Sequence, residues 1–466
     1  MSPHKKATAP APAGAAPDRA GELERLLSAH PRTEFLDPLV ADLCGGFRAK
    51  RMPIDQAAKL FAHGVEMPWA LHLIDATGDC CDPLGFGIGN GAPDGTALPI
   101  SGTLAPIPWS ERPGAQVLLT FYEPDRRRSR ADPRWVLEGV LNRYRAARLH
   151  PVAAIEYEFY LIDRQRNAAG QPQPPLRPGT QMRETGNQPY LVDDLDVYGV
   201  ILGEIGEACR VQGIGATTSI SEFAPGQFEI NLQHRDDILR VADEAALFRR
   251  VVKSVARRHG MDATFMPKPY AQQTGSGQHV HLSLLDDSGR NLFDDGSAAG
   301  SMLLRSAIAG LAATMHEAML IFAPSFTSFR RFAANVFVPV NRTWGYNNRS
   351  VAFRVPSGPG DGRRIEHRVA GSDANPYLVL AAVLAGVLYG IESRLEPAAP
   401  SKGNVCTEVD PEMPLTVPAA LQALRGASVL PEWLGAEYLA LYAAVKEGEY
   451  AKFMGETFER EYAWYL

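Results

Sequence analysis

The chain has 466 residues, of which 45% are hydrophobic and 21% are charged, a composition typical of a globular protein with two or three domains. A formal net charge of −6 and an isoelectric point near 6.0 argue against a nucleic-acid partner and favour small metabolites. The five cysteines are an odd number without a CxxC pair, which argues against a disulfide framework and predicts a reducing, cytoplasmic location.

The chain begins with an Ala- and Pro-rich segment, ATAPAPAGAAP, that lacks the continuous apolar core of a signal peptide. We therefore predict a flexible tail over residues 1–32. Residues 33–125 alternate short apolar runs with Gly and Pro, which predicts a small β-rich domain with one helix near residues 54–63. The charged segment at 126–131 is predicted to separate this domain from a second one over residues 132–466.

The second domain is predicted to alternate long helices with strands. Asp132 and Pro133 are typical of a helix N-cap and first helical position. Further helices are predicted at roughly 194–211, 236–258, 302–320 and 374–393. The longest apolar stretch, Pro376 to Ile391, is too short to span a membrane and is predicted to be a buried helix.

Four predicted strands carry apolar residues on one face and ionisable or polar residues on the other, because side chains alternate across a strand. The strands are VAAIEYEFYLI, GQFEINL, GQHVHLSLL and RRIEHRV. Their second faces carry Glu156, Glu158, Glu229, His279, His281, Ser283, Arg364, Glu366 and Arg368. For any one strand, a solvated outer face would explain the polar side chains. Four strands rich in Glu, His and Arg together favour a functional site.

Carboxylates that converge in one place repel each other unless cations lie among them. Oxygen ligands with a single imidazole suit Mg²⁺ or Mn²⁺ better than zinc. Arginine forks bind carboxylate and phosphate in bidentate fashion, which implies acidic ligands close to the metals. Five arginines form such a group: Arg331, Arg349, Arg354, Arg364 and Arg368. The pattern predicts metal-assisted phosphoryl chemistry.

Seven motifs occur in an order that resembles the glutamine synthetase family from about residue 33 onward. They are EYEFYL at 156–161, SEFAPGQFEI at 221–230, MPKP at 266–269, GSGQHVHLSL at 275–284, SFRRF at 328–332, NNRSVAFRVP at 347–356 and RRIEHRVAGSDANPYL at 363–378. Each motif alone is weak evidence for a relationship to this family, but seven motifs in the family's order are strong evidence. The resemblance implies an α+β fold, with a small β-grasp-like N-terminal domain and a catalytic domain built on a curved antiparallel sheet flanked by helices.

The resemblance also implies a role for each matching residue. Ligands of the metal nearer glutamate would be Glu158, Glu222 and Glu229, and those of the metal that bridges the ATP phosphates would be Glu156, His279 and Glu366. Glutamate would be held by Arg331, Arg368 and the backbone of Gly275. Phosphate would be contacted by Arg349, Arg354 and Arg364, and the nucleotide side would include His281 and Ser283. The implied catalytic residues are Arg331, Arg349 and Asp75.

The implied reaction joins L-glutamate to an amine, with ATP as co-substrate and two or three Mg²⁺ or Mn²⁺ ions per site. The γ-carboxylate of glutamate takes the γ-phosphoryl group of ATP, and an amine then displaces phosphate from γ-glutamyl phosphate. The resemblance further implies a ring-shaped homo-oligomer, usually a dodecamer.

Departures from the family pattern concern the amine. Glutamine synthetases carry a glutamate six residues after the arginine matched by Arg331, and Phe337 stands at that position here. A phenyl ring offers apolar surface and a cation–π face in place of a carboxylate. Thr274 replaces an asparagine, and only a loose alignment matches Asp75 to the ammonium-binding aspartate that a neighbouring subunit donates. We therefore expect a γ-glutamyl-polyamine or γ-glutamyl-monoamine synthetase. The alternatives are a glutamine synthetase that uses ammonia and a non-catalytic structural or regulatory relative.

Overall fold

The first third of the chain forms a seven-stranded mixed sheet. The computed structural model describes residues 19–80, 82–334, 336–358, 360–457 and 461. The strands of this sheet are β1 Phe35–Ala41, β2 Phe47–Ala49, β3 Met52–Pro53, β4 Val65–Pro68, β5 Asp94–Pro99, β6 Ala105–Pro106 and β7 Gly114–Tyr122. Their order is β2-β1-β7-β5-β4, with β3 on β1 and β6 on β7. Only the central pair, β1 and β7, is parallel among these described pairs.

Two helices belong to this region. Helix α2, Ala57–His63, follows a 3-10 turn at Ile54–Gln56 and buries Leu60 and Phe61, which confirms the helix predicted near residues 54–63. Helix α1, Arg19–Ala29, lies where we predicted a flexible tail through residue 32, so that prediction is wrong for residues 19–29. Leu23 and Leu26, three positions apart, share one face of α1 and are buried, which explains why this segment is ordered. Residues 1–18 lie outside the described residues.

The rest of the chain contains an eight-stranded sheet centred on one long strand. Its strands are β8 His150–Asp163, β9 Ala216–Ser221, β10 Gln227–Leu232, β11 Met261–Thr264, β12 Gln278–Leu285, β13 Trp344–Tyr346, β14 Phe353–Val355 and β15 Ile365–His367. Their order is β13-β14-β15-β12-β8-β10-β9, and β11 pairs with the end of β8. Strand β8 therefore has β10 on one side and β12 with β11 on the other.

Helices surround this sheet. They are α3 Pro133–Ala146, α4 Val192–Val197, α5 Gly199–Val211, α6 Ile238–Arg258, α7 Met302–Phe322, α8 Phe326–Phe329, α9 Pro376–Glu392, α10 Val417–Arg425 and α11 Ala436–Met454. Short 3-10 turns lie at Trp69–Leu73, Pro83–Gly85 and Gly360–Gly362, and one π-helical turn lies at Pro431–Gly435. As predicted, Asp132 caps α3: its Oδ1 accepts a hydrogen bond from the Arg134 amide at 2.9 Å. The helix predicted at 194–211 is interrupted near Tyr198 and forms α4 and α5.

Helix α9 is the buried helix predicted from its apolar sequence, with nearly every residue shielded from solvent. It packs against α7 at close range, because glycines occupy the crossing. A Cβ atom at Gly310 would lie 2.1 Å from the Gly386 carbonyl oxygen, and one at Gly390 would lie 2.1 Å from the Ser306 oxygen. None of the helices in the described ranges has the length and apolar character that crossing a bilayer requires.

Candidate active site

The register of four neighbouring strands brings five of the six predicted metal ligands onto one face of the sheet. Glu158 of β8 lies directly opposite Glu229 of β10. On the other side of β8, Glu156 lies opposite His279 of β12. Strand β15 adds Glu366, which pairs across from His281 of β12. One alternating pattern, repeated in register, therefore concentrates four carboxylates and two imidazoles.

The opposite face of the same strands is the protein core, which confirms the alternation predicted from sequence. Its residues are at most 2% exposed: Ile155, Tyr157, Phe159, Phe228, Ile230, Val280, Leu282 and Ile365. The ionisable face is buried as well. Glu229 is 7% exposed, His279 8% and Glu366 1%. Such burial contradicts a merely solvated outer face, because unpaired charges of this kind rarely stay buried.

Two groups of ligand atoms on this face are close enough to hold a cation each. In the first, Glu156, His279 and Glu366 have ligand atoms within 4.8 Å of one another. In the second, ligand atoms of Glu158, Glu229 and His279 also lie within 4.8 Å of one another. The imidazole lies between the groups, with Nδ1 3.4 Å from Glu156 and Nε2 3.8 Å from Glu158. The first group contains the three residues predicted for the phosphate-bridging metal.

Glu222 was predicted as the third ligand beside Glu158 and Glu229, and the structure places it outside the tight group. It follows the last residue of β9, where its backbone amide donates to the Gln227 carbonyl at 2.9 Å. Burial and the neighbouring Glu158 charge raise the pKa of Glu222 to about 7. The charge of Glu158 thus acts on Glu222, and the role of Glu222 as a ligand stays a prediction.

The charges on this face fit bound cations. Burial and the charges of Glu156, Glu158 and Glu222 raise the pKa of Glu229 to about 9. Carboxylates crowded in this way are costly unless cations or protons lie among them. A donor set made of carboxylate oxygens and one imidazole suits hard divalent ions such as Mg²⁺ or Mn²⁺.

Glu366 is the carboxylate that the protein itself neutralises. Arg354 Nη1 lies 2.6 Å from one carboxylate oxygen, and Arg368 Nη1 is hydrogen-bonded to the other. Burial alone would raise the pKa of Glu366, but the surrounding Arg368, His279, His281 and Arg354 lower it to about 2. Arg354 and Arg368 were predicted to contact phosphate and glutamate, and both border the first metal group.

Arg331 lies over the glycine loop that precedes β12. A Cβ at Gly275 would be 2.8 Å from Arg331 Cγ, and one at Gly277 would be 3.2 Å from Nη2 and 3.0 Å from His279 Nε2. Only glycines therefore let the guanidinium approach the backbone and the metal face. Arg331 is 3% exposed, and its Nε has no hydrogen-bond partner among the described residues. A buried guanidinium with an unused donor is suited to an anionic ligand.

The predicted nucleotide residues continue along β12. His281 Nε2 lies 2.8 Å from Glu156, and its Nδ1 accepts a hydrogen bond from Arg364 Nε at 3.0 Å. Ser283 donates to the Arg363 carbonyl at 3.0 Å. His234, which the sequence did not single out, has its ring 6.0 Å from that of His281. The sequence signal for it was its position two residues after the end of β10, the strand that carries Glu229.

Two further side chains that the sequence did not single out support the site. Asn231 lies opposite Glu156 in the sheet, and its amide is 3.4 Å from Glu229. Gln227 donates to the Gly275 carbonyl at 2.9 Å and accepts from Thr274 Oγ1 at 2.5 Å. The sequence pattern could have identified Asn231, because it lies two residues after Glu229 in the same strand and its side chain therefore points to the same face.

Phe337 and Arg349 line one open cavity of about 420 Å³. Its other walls come from residues 346–350 and 401–404. The cavity adjoins the acidic face, because Asn347 accepts a hydrogen bond at 2.8 Å from Arg354, which also binds Glu366. Phe337 is 60% exposed, with a backbone φ of 53° that is uncommon for a non-glycine residue. The structure thus brings together two residues predicted for the amine and phosphoryl steps.

Asp75 makes its hydrogen bonds with its own loop and with helix α11. Its side chain is buried, and Oδ1 accepts hydrogen bonds from the Thr77 amide and hydroxyl at 2.9 and 2.7 Å. Its Oδ2 lies 2.5 Å from Nζ of Lys452 on helix α11. Within one chain, this carboxylate is already neutralised by a lysine.

A buried acidic face that can hold two cations, bordered by buried guanidinium groups, defines a metal-dependent enzyme for anionic substrates. Residues 130–465 match the family model described as glutamine synthetase, catalytic domain. The chain belongs to the glutamine synthetase family and is a carbon–nitrogen ligase, which confirms the assignment made from the seven motifs.

Several relatives are similar over most of the chain. Gamma-glutamylputrescine synthetase PuuA of Escherichia coli (strain K12) is 39% identical over 445 residues, covering 96% of this chain and 94% of its own. A glutamate–isopropylamine ligase of a Pseudomonas species is 33% identical, covering 83% of each chain. The solved structure of a GmaS/ADP complex superposes with a TM-score of 0.81 at 29% identity, covering 96% of this chain and 99% of that one.

Proposed function

We propose that this protein is an ATP-dependent ligase that joins the γ-carboxylate of L-glutamate to an alkylamine or a polyamine. The observation that carries the proposal is the acidic face of Glu156, Glu158, Glu229, His279 and Glu366, with buried arginines at its border. The names of the relatives support the product class, since they act on putrescine and isopropylamine.

Glutamate and ATP would occupy opposite sides of this face. Arg331 and Arg368 would bind glutamate, together with the Gly275 backbone. The phosphates would be contacted by Arg349, Arg354 and Arg364, with His281 and Ser283 on the nucleotide side. Bound Mg²⁺ or Mn²⁺ would supply charge neutralisation for the phosphoryl group, held by Glu156, His279 and Glu366 and by Glu158, Glu229 and Glu222.

The reaction would proceed in two displacements. A γ-carboxylate oxygen of glutamate attacks the γ-phosphorus of ATP, and the bond to ADP breaks to give γ-glutamyl phosphate. The amine nitrogen then attacks the activated carbonyl carbon, loses a proton, and phosphate leaves. The arginines position both anions and offset charge that develops on the transferred group, which is the main source of rate in phosphoryl transfer.

Phe337 favours a substituted amine over ammonia. It stands where glutamine synthetases carry a glutamate, and its exposed ring lines the cavity next to Arg349. Apolar surface stabilises an alkyl chain, whereas a carboxylate would stabilise a small ammonium ion. Asp75, proposed by loose alignment as an amine-binding residue donated to a neighbouring subunit, would first have to exchange its contact with Lys452.

The test is release of phosphate from ATP with glutamate and a panel of amines. We expect putrescine, spermidine, ethanolamine or a short alkylamine to exceed ammonia in kcat/KM. Ammonia exceeding all of them would identify a glutamine synthetase. A failure to release phosphate with every amine, in correctly folded protein with Mg²⁺ or Mn²⁺ present, would favour the non-catalytic alternative.

The finer structural predictions belong to the same proposal. The parallel pair β1 and β7 and the helix α2 support a β-grasp-like N-terminal domain over residues 33–125, followed by the catalytic domain from residue 132. By family resemblance we also propose a homododecamer in the cytoplasm. Light scattering of the purified protein would test the number of subunits.

A further inference from the structure

Asp373 ties the loop after β15 to the short helix α8. Its Oδ2 accepts hydrogen bonds from Ser325 Oγ at 2.7 Å and from Ser328 Oγ at 2.8 Å. Ser325 is the N-cap of α8, and Ser328 completes a reciprocal capping box with it. One carboxylate oxygen therefore fixes both ends of a single helical turn.

Arg331 follows directly from that turn. Its backbone amide donates to the Ser328 carbonyl at 3.1 Å, so the position of α8 sets where the Arg331 side chain begins. At the other end of the side chain, Nη1 donates to the Val369 carbonyl at 3.1 Å. Any shift of α8 would be transmitted to the guanidinium group that lies over Gly275 and Gly277.

The second carboxylate oxygen of Asp373, Oδ1, lies near Gly371, as does Nη1 of Arg331. A Cβ at Gly371 would be 2.7 Å from Asp373 Oδ1 and 3.4 Å from Arg331 Nη1, so both atoms border the same glycine. This oxygen is buried and has no hydrogen-bond partner among the described residues. Burial raises the pKa of Asp373, whereas its two serine partners, Arg249 and Arg331 lower it, so its carboxylate offsets part of the cost of burying these guanidinium groups.

We infer that Asp373 is a positioning residue for glutamate binding. It orients Arg331 through Ser325 and Ser328, and its negative charge stabilises the buried guanidinium group of Arg331. The inference rests on the proposed function, because it assigns glutamate to Arg331. The hydrogen bonds of the Asp373 carboxylate go to Ser325 and Ser328, so it acts on glutamate only through Arg331. It holds the guanidinium so that Nη2, which points toward Gly277 and His279, is free for the substrate carboxylate.

The test is a comparison of Asp373→Asn with the wild-type enzyme in steady-state kinetics. The amide keeps an acceptor for the two serines but removes the charge beside Arg331. We expect the KM for glutamate to rise at least about tenfold, with the KM values for ATP and amine changed by less than about threefold. Asp373→Glu, which restores the charge, should recover part of the glutamate affinity.

A matched control separates positioning from general stability. Asp243 is 2% exposed and accepts hydrogen bonds from Arg134 of α3 and Tyr377 of α9, not from the serines of α8. Asp243→Asn should lower the melting temperature and leave the KM for glutamate within about twofold. If Asp373→Asn does not fold, the double variant Ser325→Ala/Ser328→Ala frees α8 while keeping the carboxylate, and should also raise the KM for glutamate.

The kinetic results distinguish a failure of the positioning role of Asp373 from a failure of the proposed ligase function. An active wild-type enzyme whose KM for glutamate is unchanged in Asp373→Asn and in the double serine variant overturns the positioning role. A wild-type protein that does not ligate glutamate to any amine overturns the proposed function instead.

Discussion

At the scale of single residues, the carboxylates of the site differ in what balances their charge. Glu366 lies between Arg354 and Arg368, so the protein supplies its counter-charges. Glu229 is surrounded by like charges instead: those that act on it most strongly come from Glu156, Glu158 and Glu222. Glu366 can thus stay ionised without a metal, whereas Glu229 depends on bound cations to be ionised at neutral pH.

This contrast predicts how Glu229→Gln changes stability. In metal-free protein at pH 7, the raised pKa of Glu229 keeps its carboxyl largely protonated, so the neutral Gln side chain should leave the melting temperature close to that of the wild type. Added Mg²⁺ at 100 times its Kd should stabilise the wild type by about 2.7 kcal/mol, and the variant by clearly less. Thermal unfolding with EDTA and with Mg²⁺ measures both quantities. Glu447→Gln, at an exposed ion pair with Arg425, is the control, and an equal Mg²⁺ response in all three proteins would contradict the prediction.

Phe337 yields a prediction about the choice of amine. Phe337→Glu restores the carboxylate found in glutamine synthetases, which attracts ammonium and removes apolar surface from the cavity. We expect the ratio of kcat/KM for ammonia to that for butylamine to rise about tenfold or more, measured by phosphate release. Phe337→Leu keeps an apolar side chain and should retain the wild-type preference. An unchanged ratio in Phe337→Glu would remove this residue from the amine site.

At the scale of elements, strand periodicity predicted much of the site, because one alternating face fixes every second residue. Glu156, Glu158, Glu229, His279 and Glu366 all follow from this rule. Glu222 lies beyond the end of β9, where strand alternation no longer determines which way a side chain points. Its position depends on the turn that follows β9, which the sequence pattern does not specify. The cavity of Phe337 also escaped prediction, since segments about 60 residues apart form its walls.

The crossing of α7 and α9 gives a prediction at this scale. Gly390→Ala places a methyl group 2.1 Å from the Ser306 carbonyl oxygen, and backbone cannot yield as a side chain can. Urea unfolding followed by circular dichroism should show a loss of about 1–3 kcal/mol or more. Gly203→Ala in α5 faces open space and should instead stabilise the protein by about 0.5–1 kcal/mol. Equal effects of the two variants would refute close packing at this crossing.

At the scale of the whole molecule, both sheets share one hydrophobic core. The cluster runs without interruption from Leu36 and Val117 of the first sheet to Phe159 and Leu282 of the second. Polar side chains also cross between the two regions: Gln116 donates to Gln212 at 2.6 Å. The sequence predicted two domains from composition, but it could not show this shared core, which depends on contacts distant in the chain.

Asn375 connects helix α9 to the chain that follows β1 through side-chain hydrogen bonds. Its Oδ1 caps α9 by accepting from the Tyr377 amide at 3.0 Å, and its Nδ2 donates to the carbonyls of Asp42 and Leu43 at 3.2 and 3.1 Å. Asn375→Ser keeps a cap acceptor and loses the two bonds to the first sheet, so it isolates the connection.

We expect Asn375→Ser to lower the free energy of unfolding by about 1–2 kcal/mol, and Asn375→Ala by about 1 kcal/mol more because the cap is lost as well. Urea unfolding at fixed protein concentration measures both, and a shared core requires that each variant still unfolds in one transition. Two separate transitions in the wild type would show that the first sheet unfolds independently. Variants within 0.5 kcal/mol of the wild type would show that these bonds contribute little, since the hydrophobic contacts alone would then join the two sheets.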